Sequence, residues 1–406
     1  MIAAGRASGL GRSAAVCARL AGVAVLAAAM LAGCAAPVAA PPAQGASAQG
    51  TSGPWSTPTQ QWVLDPGYYL QAVAGHLALL HAARPVSAWL DDPATPEALR
   101  VTLRRAQQVR RYALEVLHLP DNASYTRYVA LQRPAVVWNV VATPALDLQP
   151  HRWCFPLTGC VAYRGYYREE DAHAFARTLP PEWDVAVLPV PAYSTLGWTQ
   201  WLGGDPLLST FLRYPAAEVA RLLFHELAHQ VVYVSGDSAF NESFATAVER
   251  LGVQRWLALQ ATPQERAAHA RFEQRRQAWR DLLRRTRAEL QALYARDAPV
   301  AHQHADKRRI LDDFQRRYQA LRATWDPPPA DDAWVRQANN ALFALDATYE
   351  AYVPAFMALF EREGGDFARF YRAVGEWARL PAGERRRRLE AMATLPAQSS
   401  VSTNSM

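Results

Sequence analysis

The chain has 406 residues, half of them hydrophobic, so it can bury a sizeable core, and by length alone it has room for two or three domains. Its formal net charge is +6, from 43 basic and 37 acidic residues. Three of the arginines lie in the first 33 residues, and without that segment the balance falls to +3, so charge gives no argument for a nucleic-acid partner.

The chain opens with Arg6, Arg12 and Arg19, followed by an apolar run from Leu20 to Met30 and by Leu31-Ala32-Gly33-Cys34. A basic start, a short apolar stretch and small residues mark a secretory signal rather than a membrane-spanning helix. Cysteine directly after Leu-Ala-Gly resembles a bacterial lipobox. That resemblance implies a signal peptide over 1–33 and a lipidated Cys34 as the mature N-terminus. With Ala35 rather than Asp next, it further implies a place on the periplasmic face of the outer membrane. An ordinary signal peptide and a retained apolar helix are the alternatives. Residues 34–60, rich in Ala, Pro, Gly, Ser, Gln and Thr, read as a flexible tether.

Helical spacing begins at Pro66 (Tyr69, Val73, Leu77, Leu80) and returns over about 96–118, where arginines stud the outer face. A β-branched run, Ala135 to Ala142, reads as a strand, and Asp184 to Val190 as another, with a short helix over 169–179 between them. Cys154 and Cys160 are the cysteines that remain after Cys17 and Cys34. In an oxidising envelope they can close a small disulfide loop; free buried thiols are the alternative. This is the one region with several strand signals in succession. A small sheet just before the next segment could pair with an extended peptide or simply pack a helix.

That next segment is Leu222 to Glu249, which opens with His225-Glu226-Leu227-Ala228-His229. On a helix the two histidines stand one turn apart on one face and can grip one metal ion, while Glu226 can serve as general base toward a water there. Zinc suits two imidazoles, a carboxylate and an open position. The helix is expected to run through Val231–Val234 and stop at Ser235-Gly236-Asp237. A second helix is expected from Asn241, with Glu242 in its first turn as third metal ligand. Glu249, two turns on, is the reserve ligand or a carboxylate supporting a ligand. A satisfied helix with two core histidines is the bland alternative, but the apolar setting makes idle charge expensive.

Beyond Glu249, charged helical patterns over 263–296 and 304–325, broken at Asp297-Ala298-Pro299, predict a long antiparallel hairpin. Its arginines, among them Arg275, Arg276, Arg284 and Arg285, read as a solvated face. The Asp326–Pro329 break leads to a last helical region with Asn339-Asn340-Ala341. Residues 395–406 read as a frayed tail.

The histidine–glutamate motif with a downstream glutamate looks like the gluzincins, although the gap from His229 to Glu242 is shorter than in thermolysin-like members. A wider set of motifs resembles the bacterial predicted aminopeptidase family of exported zinc-metallopeptidase-like proteins over about residues 65–390. It runs through Tyr68-Tyr69-Leu70-Gln71, Leu119-Pro120-Asp121-Asn122-Ala123-Ser124-Tyr125, Val137-Trp138-Asn139-Val140 and Trp153-Cys154-Phe155-Pro156. It continues with Tyr163-Arg164-Gly165-Tyr166, Ala192 to Trp198, Asp205-Pro206-Leu207-Leu208 and Asn339-Asn340-Ala341. One departure is the apparent insertion Thr199–Gly204.

The expected architecture is α+β and predominantly helical: a zincin-like core over 61–394, with a small sheet beside the metal helix and the long hairpin. The expected function is a lipid-anchored peptidase with one Zn2+ per chain, an aminopeptidase acting on envelope peptides. An envelope endopeptidase and a zinc-containing scaffold without catalysis are the competing readings. Tyr349, Tyr193 and Arg164 are candidates to stabilise the oxyanion. Tyr193, Asn339 and Asn340 are candidates for substrate binding, and Glu218, Asp205 and Glu249 for recognition of an amine.

Overall fold

The computed structural model describes residues 60–156, 159–192, 195, 203–326, 328, 332–344 and 352–393. Cys34, Tyr193 and Tyr349, with the signal, most of the tether and the tail, lie outside the described residues.

In chain order the elements are β1 (Gln60–Trp62), α1 (Pro66–Ala82), β2 (Arg84–Pro85), α2 (Val86–Asp91), α3 (Glu97–Glu115), β3 (Arg127–Val129) and β4 (Val137–Pro144). Then come β5 (Arg152–Phe155), β6 (Gly159–Val161), β7 (Arg164–Tyr166), α4 (Glu169–Ala176), β8 (Trp183–Val190), β9 (Leu207–Leu208) and α5 (Ser209–Leu212). The metal-motif helix is α6 (Ala216–His229) and its partner α7 (Ser238–Leu259); α8 (Pro263–Tyr294) and α9 (Val300–Arg322) form the hairpin. The last region holds α10 (Ala333–Arg336), α11 (Asn340–Ala344), α12 (Val353–Arg362), α13 (Phe367–Ala378) and α14 (Ala382–Ala393). The expected α+β, mostly helical architecture is therefore observed. Among the described residues no helix is long and apolar enough to cross a membrane.

Three small three-stranded sheets accompany the helices, ordered β1-β5-β6, β2-β3-β9 and β7-β4-β8. In the largest, β4 is central and antiparallel to both neighbours, with Asn139 opposite Leu188 and Gly165. Cys154 faces Cys160 across the β5–β6 hairpin and the two form a disulfide, as expected. The β7-β4-β8 sheet is covered by α4 and α11, whereas α6 is bedded mainly among α7, α3, α8 and α5. The immediate support of the metal helix is thus chiefly helical, where the sequence reading placed a sheet.

The main core joins Leu103, Val109, Leu223, Phe224, Phe244, Val248 and Phe356, all fully or almost fully buried. Gly252 lets α7 cross close to α6: a Cβ there would lie 2.7 Å from the Phe224 ring and 2.8 Å from Leu117. A second, smaller core fills the hairpin, where Leu282, Leu290, Phe314 and Tyr318 meet Leu342 and Phe343.

The connection between α6 and α7 departs from expectation. Helix α6 stops at His229, and Val231–Val234 leave the helix. The cause is local. Val231 and Val232 still donate to the Ala228 carbonyl, but Asn241 accepts from the Val234 N–H and donates to the Val234 carbonyl, both at 2.8 Å, which satisfies Val234 without helical partners. Helix α7 starts at Ser238, capped by Asp237, whose carboxylate accepts from the Phe240 N–H. Glu242 therefore sits in the second turn, one turn deeper than the sequence reading had it. Arg385 of α14 holds the capping Asp237 at 2.6 and 2.8 Å, and the Tyr352 N–H donates to Ser243, so the C-terminal helices brace α7.

Candidate metal centre

Helix α6 begins after Pro215 and turns an apolar face (Val219, Leu223, Phe224, Leu227) into the core. Glu218, Arg221, His225 and His229 follow one another along a polar stripe at helical spacing. At its far end the helix is held by the segment around Asn122. Asn122 donates to Gln230 at 2.6 Å, and the Ser124 hydroxyl accepts from Gln230 and from the Asp205 N–H, each at 3.4 Å. Two of the sequence motifs thereby converge behind His229.

His225, His229 and Glu242 each direct one ligand atom to a common point, and the three atoms lie within 4.8 Å of one another. The His225 and His229 Nε2 atoms are 3.3 Å apart, and Glu242 oxygens lie 3.3 Å from His225 Nε2 and 3.8 Å from His229 Nε2. Tetrahedral zinc with bonds of about 2.0–2.1 Å separates its donors by roughly 3.3–3.4 Å, so the spacing fits. Glu242 is almost wholly buried, and the nearest cationic partner of its Oε2 is His225 Nε2 at 3.3 Å. A buried carboxylate needs a cation, which an imidazolium supplies without metal and a metal ion could supply in its place.

Glu249 is not a fourth donor to this point. It stands behind His225 and accepts from Nδ1 at 3.0 Å. A carboxylate only accepts, so His225 donates through Nδ1, and a metal at the cluster would take the place of the second proton that Glu242 favours on Nε2. Of the two roles the sequence left open for Glu249, the geometry fits the supporting one. Burial alone would lower the His225 pKa, but Glu242 and Glu249 outweigh it and raise it to about 10. Burial would likewise raise Glu249, yet Arg221 and His225 hold it at about 2. His229 is pushed down to about 4 by burial.

The support extends further than the sequence reading saw. Arg221 donates to Glu249 and to Glu218, both at 3.0 Å. Glu218 also accepts from His269 at 2.9 Å and Arg276 at 2.5 Å, both on α8. Burial would raise the Glu218 pKa, but His269, Arg276 and Arg221 more than offset it and hold it below the ordinary value. Arg276, expected on a solvated face, is thus turned inward, because a buried carboxylate in α6 needs it. The hairpin thereby forms a wall of the site. Arg221, with its place on the histidine stripe, was the signal that could have revealed this.

Glu226 is buried, and with Arg221, Leu222, His225, Thr246, Glu249 and Arg280 it lines a cleft of about 200 Å³. The other candidates are placed elsewhere. Arg164 pairs with Asp65 at 2.9 Å and stacks on Phe175 and Tyr68, with ring centroids 4.2 and 4.4 Å away. Asn339 donates to the Val185 carbonyl of β8 at 2.9 Å. Asn340 donates through its side chain to the Ala145 and Asp147 carbonyls and accepts from the Tyr294 hydroxyl. Those contacts join the hairpin to the β4–β8 sheet, which is a structural task. Asp205 takes the Thr195 N–H at 3.0 Å.

Residues 67–389 match the family model described as Putative aminopeptidase, which is most of the chain. The chain belongs to that family, and the family suggests a peptidase. No curated protein and no solved structure matches it.

Proposed function

We propose that the chain is a zinc-dependent peptidase of the gluzincin kind, anchored by lipid on Cys34 at the periplasmic face of the outer membrane. One observation carries the catalytic part: His225, His229 and Glu242 converge at zinc-like spacing beside a cleft lined by Glu226. These three residues would hold the ion. Zinc bound there would supply a Lewis acid that polarises a peptide carbonyl and eases loss of a proton from water. Glu226 accepts the proton of the attacking water and returns it to the leaving nitrogen. Glu249 holds the His225 Nδ1–H and orients the ring, so that Nε2 faces the metal that would displace its proton. The Cys154–Cys160 disulfide suits an oxidising compartment, in keeping with the lipobox-like start.

Aminopeptidase action is the first reading, from the family. An endopeptidase is the second, favoured by a specific observation. Glu218 and Glu249 are taken up by arginine and histidine, and Asp205 holds a backbone N–H, so the carboxylates the sequence offered for an amine are already engaged.

The test is cleavage of free and N-acetylated peptides by the zinc-loaded full chain in detergent, beside Glu226→Gln. We expect cleavage to fall by about 10²-fold or more in the variant while its zinc content is unchanged. Cleavage confined to free peptides selects the aminopeptidase, and cleavage of blocked ones the endopeptidase. Equal activity in the variant would refute the role of Glu226.

A further inference from the structure

An amine-binding site needs carboxylates, yet the wall beside this centre is basic. A chamber of about 440 Å³ lies between α6, α7 and α8. Arg221, Arg250, Arg276 and Arg280 line it, against only Glu249 and Glu273 among the carboxylates. Both glutamates are engaged: Glu249 by His225 and Arg221, and Glu273 by Arg276 at 3.2 Å. Arg221, Glu249 and Arg280 also line the cleft that Glu226 shares, so the two spaces have a common wall. The chamber is of the size that takes small ligands or part of a peptide. Burial and then the charge of Arg221 lower the Arg276 pKa, as expected where positive charge is crowded. A guanidinium has five N–H donors, so an arginine that already holds an internal partner keeps donors for a ligand.

We infer that this chamber receives a carboxylate of the substrate, recognised by Arg280 and Arg250. The inference rests on the peptidase reading for calling the ligand a substrate, but the binding site stands on its own lining. The carboxylate is either the chain end of a short peptide or an acidic side chain, and both sources offer the same planar acceptor pair to an arginine fork.

The experiment is calorimetric titration of the zinc-saturated full-length Glu226→Gln protein with matched short peptides. One pair differs by C-terminal amidation and the other by glutamate against glutamine. In at least one pair the carboxylate form is expected to bind about tenfold tighter or better, as befits a charge-assisted arginine fork. That advantage should largely disappear in Arg280→Gln and in Arg250→Gln. Melting curves and zinc content check that each variant is folded, and Arg250→Gln carries the comparison if Arg280→Gln is not. The pair that responds names the source of the carboxylate. Equal binding of acid and amide, binding of neither, or an advantage that survives both arginine variants would overturn the inference. A carboxylate preference in a protein whose Glu226 form cleaves nothing would sink the peptidase reading and leave this site standing. Cleavage without the preference would do the reverse.

Discussion

His225 can serve a metal only if its Nε2 gives up its proton, and Glu249, which accepts a hydrogen bond from Nδ1 at 3.0 Å, orients the ring so that Nε2 faces the cluster. Supporting carboxylates of this kind tune metal affinity because they fix both tautomer and ring orientation. Glu249→Gln keeps the shape but removes the charge that His225 and Arg221 share. Zinc affinity, measured by competition with a chromophoric chelator, is expected to weaken by about 10–100-fold. Unchanged affinity would contradict this reading of Glu249. At the same scale, the pairing of the two histidines was legible in the sequence because helix pitch alone puts positions four apart on one face. Glu242 was a candidate because the sequence places it at the start of the helix that follows the histidine motif. Arg221 stood out only by its place on the histidine stripe; its partners did not, because they lie on two helices and Glu218 is shared with residues about fifty positions away on α8. Arg164, Asn339 and Asn340 were singled out for chemistry because polar residues within motifs look functional. Their hydrogen bonds hold an aromatic cluster and a sheet edge, the structural alternative open to each of them.

Between elements, the site depends on how closely α7 lies against α6, since one helix carries the histidines and the other both glutamates. Gly252 is the contact that permits this approach. Alanine there gains about 1 kcal/mol of helix propensity, but its methyl group must displace the Phe224 ring and Leu117. Overpacking typically costs about 1–3 kcal/mol, so Gly252→Ala is expected to lower the melting temperature. An unchanged or raised value would show that the helices can separate freely. Helix existence was legible here, while helix ends were not. Val231 to Val234 continue an apolar helical pattern, and it is the Asn241 side chain, seven residues beyond Val234, that takes both backbone groups of Val234 in place of helical partners.

Across the whole molecule, two hydrophobic cores must hold a fixed relation, because α8 belongs to the smaller one and also supplies His269 and Arg276 to α6. Lys307, the single lysine of the chain, helps to fix it. Its ammonium, almost fully buried on α9, donates to Asp184 of β8 at 2.5 Å and to the Ala145 carbonyl at 2.7 Å. Lys307→Met would leave Asp184 with the Asn340 N–H but no counter-charge. A loss of about 3 kcal/mol is expected from denaturant unfolding, and no loss would mean that the hairpin is held by its apolar contacts alone. The hairpin itself could be read from its charged helical periods and the proline break. Its direction could not, because the inward turn of Arg276 and Lys307 depends on buried carboxylates that lie 58 and 123 residues away in the chain.

The central claim is that His225, His229 and Glu242 form one metal site, and zinc titration of the metal-stripped chain beside Glu242→Ala tests it most directly. The account predicts one tightly bound zinc per chain and an affinity reduced by at least about 10²-fold in the variant. A folded chain that takes up no zinc, or a variant that binds it as tightly as the parent, would contradict it.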